Sequence, residues 1–170
     1  MRVATRGRIW KFGDDIDTDQ IFPGKYLTLT DKSEMARHAM EGVPGRTSFA
    51  ESVTPGDVIV AGRNFGCGSS REHAAVAIKG TGIAAVIAKS FARIFYRNCV
   101  NMALPILECD AVDELAEGDT VEVDLRKGTV RNLTSSREYC CSGLSGLEFE
   151  ILGTGGLIEY LKKHFLKADA

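Results

Sequence analysis

The feature of this sequence that most constrains its fold is a regular alternation of short apolar runs and helix-like segments between residues 57 and 107. Residues 57–61, 83–88 and 104–107 are short runs rich in aliphatic side chains, which predicts strands buried on both faces. Helix-like segments separate these runs, and strands that are joined through helices pair in parallel. This part of the chain is therefore predicted to have parallel α/β topology.

Serines are predicted to begin both intervening helices. Ser69 or Ser70 can cap a helix that runs to about residue 79 and ends at Gly80, because serine oxygens accept hydrogen bonds from the first free N–H groups of a helix. Ser90 is predicted to begin the second helix. The apolar residues expected on one face of that second helix are Phe91, Ile94 and Phe95.

The segment before this alternation predicts a strand, a loop and a helix. Residues 2–10 favour a first strand, and residues 13–19 form a polar loop with four aspartates. Residues 31–41 are predicted as a helix that Asp31 and Glu34 begin in the manner of a capping box and that the following glycine ends.

The segment after the alternation favours an antiparallel sheet and then a helix. Residues 120–124 alternate between apolar and polar side chains, and residues 129–133 are predicted to pair back with them as a hairpin. Residues 144–152 fit both a strand and a helix, because their apolar positions match both periods. Residues 157–165 predict a terminal amphipathic helix.

Composition and charge exclude several classes of protein. With 44% hydrophobic and 26% charged residues, the chain is expected to form one folded domain over residues 1–170 and not a disordered segment. A formal net charge of −2 disfavours nucleic-acid binding through a basic face. The longest apolar run, residues 83–88, is far shorter than the roughly 20 residues that span a bilayer, and residues 1–8 lack the apolar stretch of a signal peptide. We therefore expect a cytoplasmic protein that binds neither nucleic acid nor membrane.

The five cysteines favour neither a disulfide framework nor a metal site. Their number is odd and two of them are adjacent, so we expect reduced thiols. No Cys-x-x-Cys pair is present, so no self-contained zinc or iron–sulfur site is expected on this chain. Most of the cysteines are interpreted as small buried hydrophobic residues.

A glycine-rich segment, residues 62–74, joins the first of these strands to the first helix and carries the candidate chemistry. Free N–H groups and the helix dipole make such a place attractive to anions. A dinucleotide fingerprint needs a glycine where Arg71 stands, and a P-loop needs a glycine where Cys67 stands. Neither nucleotide-binding pattern is therefore met. The segment offers the hydroxyls of Ser69 and Ser70, together with an arginine whose planar guanidinium can hold a carboxylate. These residues alone favour a site for a small carboxylate and a merely capped helix with a surface arginine about equally.

Four blocks of the sequence carry a resemblance to a known family. They are residues 13–21 (GDDIDTDQI), 66–74 (GCGSSREHA), 89–98 (KSFARIFYRN) and 155–160 (GGLIEY). In this order they resemble the swivelling domain of the aconitase superfamily, in particular the family of isopropylmalate dehydratase small subunits, over nearly the whole chain. The resemblance implies a single swivel-type α/β domain, with a barrel-like sheet flanked by helices and a β-rich C-terminal part.

The resemblance also implies roles for individual residues. Ser69 is implied as the catalytic base, which takes a proton from carbon in dehydration and returns it in rehydration. Arg71 is implied as a ligand of a substrate carboxylate, and Thr28 belongs to the block that sorts substrates. The other residues implied to contact substrate are Ser70, Thr18 and Asp19. The residues implied to support the site are Gly66, Cys67, Gly68 and His73.

The family implies a small subunit of a hydro-lyase that is active only with a large subunit. That enzyme isomerises a 2-hydroxy acid such as 2-isopropylmalate to 3-isopropylmalate in leucine biosynthesis. The large subunit is implied to hold a [4Fe–4S] cluster, and this chain no cofactor. Because Thr28 is uncharged, it can line a pocket for an alkyl group but cannot neutralise a further carboxylate. Homoaconitate, citramalate and dimethylmalate stay open as substrates, a non-catalytic anion-binding module as a function, and self-association as a property of the isolated chain.

Overall fold

A mixed sheet of seven strands organises residues 4–166, the part of the chain that the computed structural model describes. The strands are β1 (Ala4–Lys11), β2 (Val58–Ala61), β3 (Ala85–Ala88), β4 (Ile106–Glu108), β5 (Thr120–Asp124), β6 (Thr129–Asn132) and β7 (Arg137–Cys140). Their order across the sheet is β4-β3-β2-β1-β5-β6-β7. The first four pair in parallel, and β5, β6 and β7 continue from β1 in antiparallel fashion. The predicted parallel topology is thus confirmed, while residues 2 and 3 of the predicted first strand lie outside the described residues.

Seven helices accompany the sheet in the described part of the chain. They are α1 (Thr18–Ile21), α2 (Lys32–Arg37), α3 (Phe49–Ser52), α4 (Glu72–Gly80), α5 (Arg93–Asn101), α6 (Gly146–Thr154) and α7 (Leu157–Phe165). Single 3₁₀ turns lie at Gly24–Tyr26 and Asp110–Glu114. Among residues 4–166, none of the helices is long and apolar enough to cross a bilayer.

The sheet curls until its two edges meet. Glu108, at the end of β4, forms an antiparallel bridge with Ser142, which follows β7, and the Ser142 N–H donates to the Glu108 carbonyl at 2.7 Å. This contact joins the first and last strands of the sheet order, so the predicted barrel-like sheet flanked by helices is confirmed.

Each face of the sheet covers its own apolar core. One core lies inside the curl and contains Ile9, Val58 and Ile87, together with alternate residues of β5 and β6. The other lies against the helices and contains Ile59 and Val86 with the buried faces of α4 and α5. All residues of β2 and β3 are buried, as the continuous apolar runs predicted, because both of their faces are covered.

The two central helices begin later than predicted. The N-cap of α4 is Arg71, so the prediction that Ser69 or Ser70 caps it is wrong, and both serines lie in the loop before it. Likewise α5 begins at Arg93, and the Ser90 hydroxyl instead accepts a hydrogen bond from the N–H of Asn64 at 2.9 Å. In both places the serine lies in a loop that pairs with another loop, and this pairing displaces the helix start.

The predicted apolar face of α5 is also partly wrong. Phe95 is 1% exposed, but Ile94 is 51% exposed. Adjacent helical residues are rotated by about 100° from each other, so only one of the two can face the sheet. Phe91 is buried but precedes the helix.

The helix predicted for residues 31–41 is shorter in the structure. Asp31 accepts hydrogen bonds from the N–H groups of Ser33 and Glu34, as predicted, but within the described residues the Glu34 side chain returns none, so the predicted capping box is only half formed. The helix ends at Arg37 because the backbone of Met40 is left-handed, with φ of 61°, and its N–H donates to the carbonyl of Ile21. A tertiary hydrogen bond thus ends the helix before the glycine at 42.

The C-terminal segments resolve the open assignment. Residues 144–152 belong mainly to the helix α6, whose N-cap Ser145 forms a capping box with Glu148. The hairpin and the terminal helix α7 are confirmed, and β7 is a strand that the sequence pattern did not reveal.

Candidate functional site

Three loops meet at the carboxyl ends of β1, β2 and β3. The loop after β1 runs beside the glycine-rich loop after β2, with hydrogen bonds from the N–H of Asp15 to Arg63, of Gly66 to Ile16 and of Thr18 to Cys67, at 2.7–2.8 Å. The loop after β3 joins on the other side, where the N–H of Phe65 donates to Ser90 and that of Ala92 to Phe65. Ligand sites of parallel α/β sheets lie outside the carboxyl ends of the strands, and this is that end.

Gly66 fixes the course of the middle loop. Its φ is +80°, and a Cβ placed there would lie 2.1 Å from the ring of Phe95. Only glycine satisfies both the left-handed backbone and this close approach. The α5 helix is thereby packed directly against the loop that carries the two serines.

Ser69 lies at the edge of an open cleft of about 480 Å³. Its side chain is exposed, while its carbonyl accepts a hydrogen bond at 2.9 Å from the hydroxyl of Thr18, which is 2% exposed. The first loop therefore positions Ser69 through its backbone and leaves the Ser69 hydroxyl toward solvent. The cleft is lined by Asn64, Gly66, Gly68, Ser69, Ala92, Arg93, Ile94 and Arg97.

Two arginines of this cleft were missed as site residues. Arg93 and Arg97 lie four residues apart on α5, so their side chains emerge on the same side, and both line the cleft with Ser69. The helix begins at this cleft, and its N-cap, Ala92, has no side-chain oxygen for the first N–H groups. The basic residues inside the block 89–98 were the available sequence signal, since a helix places them on one face.

Arg71 belongs to a different neighbourhood. Its guanidinium donates to the carboxylate of Asp19 at 2.6 Å and to the carbonyl of Phe22 at 3.4 Å. Asp19 also accepts from the N–H of Gly24, and these hydrogen bonds hold the pKa of the Asp19 carboxyl below its usual range. The structure thus joins Arg71 and Asp19, two predicted substrate ligands, while Ser69 shares the cleft with α5.

Thr28 lies in an exposed turn just beyond the 3₁₀ turn at Gly24–Tyr26. The Tyr26 ring stacks on His38 with centroids 3.6 Å apart, and its hydroxyl donates to Glu41 at 2.7 Å. These contacts anchor the segment that carries Thr28 to residues that follow α2. Ser70 is exposed in the loop before α4.

The predicted supporting residues surround the loop that carries Ser69. Cys67 is half-buried, and burial and the nearby carboxylate of Asp17 raise the pKa of its thiol. The His73 ring stacks on Phe22 with centroids 5.9 Å apart, which fixes the first turn of α4 against the first loop. Gly68 has φ of +88°, a conformation that favours glycine.

The cysteines do not form a ligand set for an iron–sulfur cluster at this site. Cys67 lies in the glycine-rich loop and Cys99 in the core, while Cys109, Cys140 and Cys141 line another cleft. Within residues 4–166, no three side chains of the His, Cys, Asp and Glu types are placed to hold a metal ion.

Known proteins match this chain over nearly its full length. Residues 48–111 match the model of the aconitase C-terminal domain family. The chain is 55% identical to a 3-isopropylmalate dehydratase small subunit 1 of Methanopyrus kandleri, over 96% of this chain and 95% of that protein. It is 52% identical to a 3-isopropylmalate dehydratase small subunit of Aquifex aeolicus, over 96% and 97% of the two chains. A crystal structure of 3-isopropylmalate dehydratase from Methanocaldococcus jannaschii is 53% identical, with a TM-score of 0.91 over 96% of each chain.

Proposed function

This chain belongs to the family of 3-isopropylmalate dehydratase small subunits, hydro-lyases of the aconitase superfamily, and we propose that its loop 62–71 and helix α5 supply one half of the active site. The proposed reaction isomerises 2-isopropylmalate to 3-isopropylmalate, a step of leucine biosynthesis. Water is removed across two neighbouring carbons and added back in the opposite orientation. One proton must therefore leave carbon and later return to the other carbon.

Ser69 is the proposed base for this proton. Its hydroxyl oxygen, when deprotonated, accepts the proton from the carbon next to the hydroxyl-bearing carbon and returns it on rehydration. A serine alkoxide needs nearby positive charge, because a hydroxyl is otherwise far too weak an acid. The observation that carries the proposal is that Ser69 shares its cleft with Arg93, Arg97 and the start of α5.

Charge also makes this cleft suitable for the substrate. The two carboxylates of an isopropylmalate require cationic partners, and Arg93 and Arg97 supply two guanidinium groups on one side of the cleft. Arg71 supplies a third guanidinium from outside this cleft, where its hydrogen bond to Asp19 holds it in place. Thr28 lies on the exposed turn that follows the residues near Asp19, and we propose that it faces the alkyl substituent of the substrate.

A large subunit is the proposed partner, as the word "small" in the relatives' names implies. We place the [4Fe–4S] cluster on that partner, where it would act as a Lewis acid on the leaving hydroxyl. Among the described residues, Cys67 is the one cysteine in the loops of the candidate site, while Cys99 lies in the core and the other three line a separate cleft, which supports that assignment. This chain then supplies the proton transfer and part of the carboxylate binding.

Reconstitution with the large subunit tests the proposal. Ser69→Ala is expected to lower kcat by at least 10³-fold, roughly the scale of losing a catalytic base. Ser70→Ala removes a hydroxyl one residue along the same exposed loop, at a residue implied only to contact substrate, so it should act mainly on KM and retain far more of kcat. The unsaturated intermediate can be followed by its ultraviolet absorbance.

The same assay separates the alternatives. Turnover that is unaffected by Ser69→Ala would reject Ser69 as the base. Reconstituted enzyme that binds 2-isopropylmalate but converts neither it nor homoaconitate, citramalate or dimethylmalate would favour the non-catalytic anion-binding module. The chain alone should show no turnover.

A further inference from the structure

Two cysteines face each other where the sheet closes. The antiparallel bridge between Glu108 and Ser142 makes Cys109 and Cys141 the next opposed pair. The N–H of Cys109 donates to Ala88 at 2.9 Å, and that of Cys141 donates to Gly128 at 2.7 Å, so both N–H groups point away from the partner cysteine. This is the arrangement of a non-hydrogen-bonded pair, in which opposed Cα atoms approach to about 4.5 Å. That separation falls within the range that a disulfide spans.

This opposed placement brings the two thiols near each other. The neighbouring Cys141 thiol, with help from the N–H of Ala111, lowers the pKa of Cys109, and the Cys109 thiol together with burial raises the pKa of Cys141. Both line an open cleft of about 370 Å³, which also includes Lys89 and the exposed Cys140. Cys109 is 2% exposed and Cys141 is half-buried, and the cleft gives small solutes a route to the pair.

We propose that Cys109 and Cys141 form a reversible disulfide when the protein meets a peroxide. The Cys109 thiolate attacks one oxygen of hydrogen peroxide, which breaks the O–O bond, gives the sulfenic acid and releases hydroxide that takes up a proton to become water. The Cys141 sulfur then attacks the sulfenic sulfur and displaces a second water. In total, two thiols and one hydrogen peroxide give one disulfide and two waters, and a dithiol reductant reverses the change.

This disulfide lies at the same carboxyl end of the parallel strands as the candidate site, since Lys89, which lines its cleft, belongs to the loop after β3 that joins that site. It would stabilise the fold that carries the site. It links the end of β4 to the segment after β7 and encloses the whole antiparallel part of the sheet between residues 109 and 141. A covalent link across a loop of this length restricts the unfolded chain, which raises the melting temperature.

Thiol counting in the full chain tests the proposal. After peroxide treatment and denaturation, two of the five thiols should be lost and should return with dithiothreitol. Cys140→Ser is the matched control, because Cys140 is adjacent and exposed, and it should still lose two thiols. Cys109→Ser and Cys141→Ser should each abolish the reversible, intramolecular loss.

Cys109→Ser places a polar hydroxyl in the core and could prevent folding, so a second test uses the melting temperature of variants that keep Cys109. Peroxide should raise the melting temperature of the parent chain and of Cys140→Ser by about 5–10 °C, and that of Cys141→Ala not at all. The proposal is overturned if no thiols are lost in the parent chain, if the loss persists in Cys141→Ala, or if it disappears in Cys140→Ser.

Discussion

At the scale of single residues, the site consists of two groups of side chains that one loop holds apart. Ser69 shares a cleft with Arg93 and Arg97, while Arg71 is paired with Asp19. The residue types and the location of this site could be predicted from the glycine-rich segment and the family blocks. Their grouping could not, because it depends on which way each side chain leaves a loop whose path is set by tertiary hydrogen bonds. Arg93 and Arg97 were not predicted as site residues, because their place beside Ser69 depends on the same tertiary packing of the loop.

The pair of Arg71 and Asp19 gives a prediction about substrate binding. In the reconstituted enzyme, Arg71→Lys should raise KM about tenfold with a smaller effect on kcat, because an ammonium cannot reproduce the planar fork of a guanidinium. Asp19→Asn should raise KM by less, since an amide oxygen still accepts from Arg71. Steady-state kinetics are the measurement. Arg63→Lys, an exposed arginine of the same loop, is the control and should leave KM unchanged; equal effects of all three changes would remove Arg71 from the substrate site.

Thr28 gives a prediction about substrate choice. Thr28→Arg should shift the ratio of kcat/KM by about tenfold toward a substrate with an additional carboxylate, such as homoaconitate, because it adds a charge-assisted contact. Competition assays that pair 2-isopropylmalate with the tricarboxylate measure this ratio. Thr30→Arg, exposed on the same segment, serves as the control and should shift the ratio little. An unchanged ratio in Thr28→Arg, or a parent enzyme that already prefers the tricarboxylate, contradicts the assignment.

At the scale of elements, local patterns predicted what local forces determine. The buried strands β2 and β3 and the amphipathic helix α7 follow from apolar periodicity, and the structure confirms them. The starts of α4 and α5 and the end of α2 were wrong, because loop-to-loop hydrogen bonds decide them. The strand β7 was missed, since its residues are mostly exposed and polar and its pairing with β6 alone makes it a strand.

The glycine-rich loop gives a prediction about stability at this scale. Gly66→Ala should lower the free energy of unfolding by about 3 kcal/mol, because alanine is strained at this positive φ and its Cβ would overlap the ring of Phe95. Gly13→Ala is the matched control, since its Cβ meets no neighbour within 4 Å and it should change stability by less than about 1 kcal/mol. Chemical denaturation of the isolated chain measures both. Equal losses in the two variants would mean that Gly66 is not required for the path of the loop.

At the scale of the whole molecule, one sheet serves both cores. Side chains of β2 and β3 alternate between the core inside the curl and the core against the helices, so neither core can open without exposing the other face of the same strands. The loops of the candidate site extend from the ends of these strands. The chemistry therefore rests on the most buried elements of the chain, which supports the proposal that residues 1–170 form a single domain.

This shared sheet predicts cooperative unfolding. Ile87→Ala opens a cavity inside the curl and Ile59→Ala one beneath the helices, and each should cost about 3–4 kcal/mol because both side chains are fully buried. Each variant should still unfold in one sharp transition at a lower denaturant concentration than the parent chain. Far-UV and near-UV circular dichroism should follow the same unfolding curve. Ile158→Ala, 59% exposed on α7, is the control and should cost less than about 0.5 kcal/mol. Two separate transitions, one sensitive to Ile87→Ala and the other to Ile59→Ala, would show that the cores unfold independently and that the chain is not a single cooperative domain.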